Sequence, residues 1–208
     1  MRLDHLGHRP RIHSSARLAP SAVICGDVTV GPNCSIGFGA VLTAESGPII
    51  VGENCVVMDT AVLRGVRRNP LTIGNKVLVG PRAYLTGCEI GDNVFLATGT
   101  TVFNGARIGE GSEVRINGIV HLRTVLQPNS TVPIGWIAVG DPAEILPPDE
   151  HDRIWSMQKP LDFPQYVFGV ARSAEGESVM PIVMPRYARL LSRHREDSAL
   201  EADDTLVD

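Results

Sequence analysis

The chain is poor in aromatic residues, which fill 5% of its 208 positions. A core built mainly from Phe, Tyr and Trp is therefore excluded, and the 43% hydrophobic content points to Val, Ile and Leu instead. No apolar run reaches the roughly 18 residues of a membrane span. The opening stretch, MRLDHLGHRPRIH, has no apolar segment of the secretory kind, so a cytoplasmic location is expected. A basic excess is also missing: a net charge of −4 and a pI near 5.9 argue against a nucleic-acid partner. The four cysteines form no CxxC pair and no Cys/His zinc spacing, so neither a metal nor another cofactor is expected. Walker, HExxH and GxSxG motifs are absent, and GFG at 37–39 falls inside a repeat, not a dinucleotide fingerprint.

Glycine, by contrast, is abundant at 21 residues, and its placement is periodic. In LTIGNKVLVGPRAYLTGCEIGD, residues 71–92, the aliphatics Ile73, Val79 and Leu85 fall six apart, and glycine follows the first two. This period is neither the 2 of a strand nor the 3.6 of a helix. One large aliphatic, one small residue and one glycine per hexad mark a parallel β-helix with three short strands to a coil. The register runs forward through Ile90, Leu96, Val102, Ile108, Val114, Val120, Leu126, Val132 and Ala138. Backward it runs through Leu63, Val57, Val51, Leu42, Ile36, Val30 and Ile24. Insertions interrupt it after Leu42 and Leu63, and a deletion after Leu85. The expected fold is all-β, with a β-helix over residues 21–147 and glycines turning the chain where φ is positive.

The flanks read differently. Residues 1–20 carry His5, His8 and His13, for which a metal-binding reading is set against the preferred one, a lead-in packed on the first coil. Cys34 and Cys55 sit at the small-residue corner as buried hydrophobes, whereas Cys25 and Cys88 lie at turns, where a thiol can be exposed. Residues 148–196 suggest a helix starting at PPDE, with Ile154, Met157 and Trp155 toward the prism. An extended return over 161–184 and a short helix over 186–195 follow. The acidic tail, 197–208, is expected to be disordered.

Several motifs together resemble the γ-class carbonic anhydrase-like branch of the hexapeptide-repeat, left-handed β-helix superfamily, over residues 14–148. They are VVMDTAVLRG (56–65), NPLTIG (69–74), VGPRAYLTGCEIGD (79–92) with its deletion after Cys88, and GWIAVGDPAEIL (135–146). The resemblance implies a left-handed coil and a homotrimer, with three histidines holding a catalytic metal across a subunit boundary. At the matching positions this chain has Arg64, Pro81 and Thr86. The family's paired Arg and Asp are matched by Thr43 and Glu45, its glutamine by Met58 and the adjacent aspartate by Asp59. Arg67 and Arg68 make basic a loop that is acidic in some relatives.

Two functional readings follow. In the first, the protein has no zinc-dependent carbonic anhydrase activity and binds a small anion or carboxylate, with Arg64, Arg82 and Thr86 lining the former metal pocket. Within it stands an open alternative: Arg64 pairs internally with Glu45 or Asp59, and the chain is a scaffold subunit. In the second, the chain is a hexapeptide acyltransferase using an acyl-coenzyme A donor. The histidine base of such enzymes is matched by the turn Gly80-Pro81-Arg82, which leaves His121 as a weak catalytic candidate against a surface or interface role. By the register, Thr43, Arg64, Thr86, Phe103 and His121 stack in one column.

Overall fold

A computed structural model describes residues 1–66, 68–174, 177–201 and 203–208. It is a left-handed parallel β-helix followed by short helices. Three sheets form the walls of a prism. The first wall carries the strands Val41–Ala44, Val62–Gly65, Tyr84–Thr86 and Thr101–Val102; the second includes Leu71–Ile73, and the third Leu78–Val79.

Each wall stacks one aliphatic per rung. Leu42, Leu63, Leu85 and Val102 are in register on the first wall, as are Val79, Leu96 and Val114 on the third. Every aliphatic of the hexad register points inward; none is more than 4% exposed, the value at Ile90. No coil buries these residues alone, so each rung depends on the next.

Several glycines take the expected positive φ, as Gly39 and Gly111 do, but the glycine after the hexad aliphatic does a different job. Gly52 has no positive φ; a Cβ there would lie 2.6 Å from the Gly74 carbonyl oxygen of the next rung. Close approach of coils, not backbone handedness, requires glycine at this hexad position. The left-handed turn residue is often asparagine instead, as at Asn33, Asn54, Asn93, Asn117 and Asn129, with φ between 55° and 57°. A short polar side chain tolerates that conformation.

Residues 1–20 are the first coil, not a lead-in. Arg11–His13 and Arg17–Leu18 pair in parallel with the next rung, placing Ile12 on Val30 and Leu18 on Ile36. The six-residue spacing thus continues behind a run of charge and histidine. The tail also differs from expectation. Ser198–Leu200 pairs antiparallel with Arg2–Asp4, and Leu206–Val207 pairs with Arg11–His13, because the first coil offers unsatisfied backbone groups. Cys25 and Cys88 are both buried, at 2% and 1% exposure. Asp197 accepts the Cys25 thiol, while Cys88 belongs to the continuous core.

Helix α1 (His151–Gln158) packs Ile154 on Ile137, Val139 and Leu146, with Met157 alongside. Trp155 does not face the prism; it is 40% exposed and lies under the Arg172 guanidinium. Helix α2 (Met180–Leu191) begins earlier than the sequence suggests, because Pro181 falls in its first turn, where no N–H is needed. A further helical turn spans Pro164–Phe168, so the expected extended return is broken twice. Among the described residues no helix is long and apolar enough to cross a membrane.

Candidate functional site

The site lies outside the prism, on the first wall. Parallel pairing stacks Thr43, Arg64 and Thr86 at one register position, and Phe103 and His121 continue the column with ring centroids 5.7 Å apart. The two insertions project beside this column. Gly87 fixes one of them: its φ is +47°, and a Cβ would lie 2.7 Å from the Asn69 carbonyl oxygen. The C-terminal segment crosses over the column and roofs it. An aromatic chain carries the roof, from Phe103 to Phe163, Phe168 and Tyr187, with successive centroids 6.3, 6.0 and 5.9 Å apart in edge-on contacts.

Beneath this roof is a cavity of about 440 Å³. Glu45, Arg64, Thr86, Asn69 and Phe103 line its floor and side, and Phe163, Tyr166, Phe168, Val183 and Tyr187 its ceiling. The Arg64 guanidinium forms an ion pair with Glu45 and donates to the Tyr187 hydroxyl at 2.8 Å. Glu45 is 7% exposed and Thr86 5% exposed, so the pair is set into the wall. The Tyr166 hydroxyl donates to the Asn69 side-chain oxygen at 3.0 Å and ties the roof to the second insertion. Arg68 and Arg186 also line the cavity, and among the described residues no acceptor is paired with either.

Of the residues singled out from the sequence, the cavity brings together Glu45, Arg64, Thr86 and Arg68. Thr43 lies one rung from Arg64 on the same column but does not line it. Met58, Asp59, Pro81 and Arg82 lie at a different corner, after the third wall's strands. There the Asp59 carboxylate accepts the Phe38 N–H at 2.7 Å, so it does not reach Arg64. Arg67 lies outside the described residues. His121 does not line the cavity; burial holds its imidazole below the ordinary 6.5, and its buried Nδ1 has no partner among the described residues.

The residues sequence reasoning missed are the roof: Phe163, Tyr166, Phe168, Val183 and Tyr187. A signal was present, since a chain so poor in aromatics concentrates four of them between positions 163 and 187.

Arg64 and Thr86 on the column and Pro81 at the other corner do not fit a zinc ion as a donor set. Proline has no side-chain donor atom and arginine stays protonated. Arg64 already supplies the positive charge that satisfies Glu45.

Comparison with known proteins agrees with the architecture. The family model described as bacterial transferase hexapeptide (six repeats) matches residues 9–44 and 70–104. A carbonic anhydrase of Geobacillus kaustophilus is 29% identical over 74% of this chain and 81% of its own length. Gamma carbonic anhydrase 1, a mitochondrial protein of Arabidopsis thaliana, is 29% identical over 66% of this chain. The chain spans about half the length of that plant relative, 50%. Among solved structures, a Bacillus cereus protein with a provisional acetyltransferase assignment superposes with a TM-score of 0.52 at 28% identity, over 76% of this chain and 91% of the other. Fold and repeat define the class, a hexapeptide β-helix protein. Within that class, the chain is similar to the γ-carbonic anhydrases, at 29% identity to the two relatives above.

Proposed function

We propose that this protein does not hydrate CO2 through a zinc hydroxide and instead binds a small carboxylate with an apolar body under its C-terminal roof. The observation that carries the reading is the Arg64–Glu45 pair closed by Tyr187 at the family's metal-ligand position. A catalytic zinc site needs three neutral or anionic donors and an open position for water. A guanidinium in that place repels a divalent ion by several kcal/mol at about 4 Å, even with an effective dielectric of about 20.

The pair also bears on the scaffold alternative. It neutralises Arg64 but does not fill the space, since a cavity of about 440 Å³ remains beside it. Its ceiling is largely aromatic, and its lining carries Arg68 and Arg186, for which no acceptor is paired among the described residues. Forked guanidinium donors over an apolar pocket suit a carboxylate attached to a ring or short chain. This moves the anion-binding role from Arg64 and Arg82 to Arg68 and Arg186.

The assembly proposed is a homotrimer. Val56 and Phe95 on the third wall, with Phe38, Met58, Ile116 and Ile134 at the next corner, are exposed large apolar residues. A strip of that kind supports a subunit contact. It would bring Pro81 and Arg82 of one chain toward the Arg64 wall of another.

Thermal-shift screening tests the reading. Aromatic and short-chain carboxylates are expected to raise Tm, since a ligand at a hundred times its Kd adds about 2.7 kcal/mol. Arg68→Ala and Arg186→Ala should weaken that response, whereas Arg64→Ala should lower stability and leave the response intact. Stabilisation by coenzyme A alone would favour the acyltransferase reading, which the Bacillus cereus structure supports at fold level. A chelator-sensitive rate of CO2 hydration would overturn the proposal.

A further inference from the structure

A second cluster of side chains lies at the opposite end of the C-terminal segment, away from the cavity. His5 Nδ1 lies 2.5 Å from one oxygen of Asp197, and His194 Nδ1 lies 2.8 Å from the other. The Cys25 thiol reaches that second oxygen at 3.4 Å. One donor atom from each of the four residues lies within 4.8 Å of all the others. The two imidazoles stack at 4.4 Å, inclined by 26°, with both Nδ1 atoms directed at Asp197. His5 is 3% and Cys25 2% exposed.

These four residues come from three remote stretches, which is why no local spacing announces them. His5 sits on a small excursion inserted between Arg2–Asp4 and Arg11–His13, held by reciprocal backbone hydrogen bonds with His8 at 3.0 Å. Cys25 ends a first-wall strand one rung on. His194 and Asp197 arrive from the turn after α2.

We propose that His5, Cys25, His194 and Asp197 bind one divalent transition metal in tetrahedral geometry, with zinc the ion their donors suit best. Two imidazoles, a thiolate and a carboxylate are donors of the kind zinc takes in closed sites. Adjacent donor atoms around such an ion lie about 3.3–3.8 Å apart, so small side-chain movements convert the present hydrogen-bonded cluster into a coordination shell. The charges balance: one thiolate and one carboxylate neutralise the dication, binding releases the Cys25 proton to solvent, and an imidazole that ligates through Nδ1 carries its proton on Nε2 instead. All four positions are taken by protein, so the site is structural and would fasten the C-terminal segment to the first coil.

A nucleophilic cysteine is the competing reading, and the geometry opposes it. The thiol points at a carboxylate rather than at an imidazole. Burial, with the neighbouring Asp197 charge and hydrogen bond, pushes the Cys25 thiol up to about 12, the reverse of activation.

Cobalt substitution tests the proposal on the full chain. Metal-stripped protein titrated with Co2+ should bind one equivalent and develop a thiolate-to-cobalt charge-transfer band with tetrahedral visible absorption. Zinc should displace the cobalt and raise Tm, and a chelator should reverse both changes. Cys25→Ser should abolish the charge-transfer band, and Asp197→Asn should weaken binding by at least about tenfold. Should Cys25→Ser fail to fold, the wild-type cobalt spectrum and Asp197→Asn decide. Folded wild-type protein that takes up no cobalt, or binds it without a thiolate band, would overturn the proposal. So would a band that survives in Cys25→Ser. Thr86→Ala separates this site from the cavity: it should keep the metal, and metal lost there would count instead against the function proposed above.

Discussion

At the scale of single residues, Arg64 and Glu45 are the most consequential pair. The Glu45 side chain is 5% exposed, so losing Arg64 leaves a nearly buried carboxylate alone. Breaking a buried pair costs about 3–5 kcal/mol, and because the Arg64 side chain is 25% exposed the low end applies. Urea unfolding of Arg64→Ala should show that loss, and Glu45→Gln a smaller one. His121 gives a pH signature. Burial depresses its pKa below the ordinary 6.5, so the unfolded chain takes up the proton more readily than the folded one. Stability from this group is present above pH 6.5 and lost as pH falls through the depressed folded pKa. Replacing His121 by Phe should remove that part of the slope as pH falls below the ordinary 6.5, read from denaturation midpoints.

Among the elements, the C-terminal segment matters most, and it was the least legible. The hexads could be read because each inward aliphatic recurs at a fixed spacing, and the column from Thr43 to His121 followed from that register. The start of helix α2 could not, since Pro185, inside the helix, argues locally for a later start while packing argues for an earlier one. Its anchor is Val183, 2% exposed against the cavity. Val183→Asp should release the roof, because an unpaired buried charge costs several kcal/mol. Limited proteolysis should then cleave after residue 160 while the β-helix core stays resistant, and the carboxylate response should vanish. The first coil escaped notice for a related reason: Ile12 and Leu18 keep the spacing, but histidines and arginines around them hide it. Of the metal-type cluster only His5 drew a metal-binding reading from sequence, because only the folded chain brings Cys25 beside Asp197.

For the whole molecule, cooperativity of the stack is the governing property. Val114 is fully buried between Leu96 and Val132 on the third wall, so Val114→Asp should prevent folding: several kcal/mol is lost from a total of about 5–15. Light scattering should give three times the chain mass of 22.4 kDa; one chain mass would refute the trimer. A parallel stack also has two ends, and each rung is a template for another. Here the chain closes both on the first wall, while Leu206–Val207 adds in parallel to the second. At one end Ser198–Leu200 runs antiparallel against the first rung, and at the other Glu144–Leu146 folds back on Ile137–Val139. An antiparallel strand cannot serve as the next step of the coil, so growth of that wall stops. Removing residues 197–208 would leave a bare rung that a second molecule can extend. Truncated protein should then assemble end to end into filaments whose length rises with concentration, visible by electron microscopy.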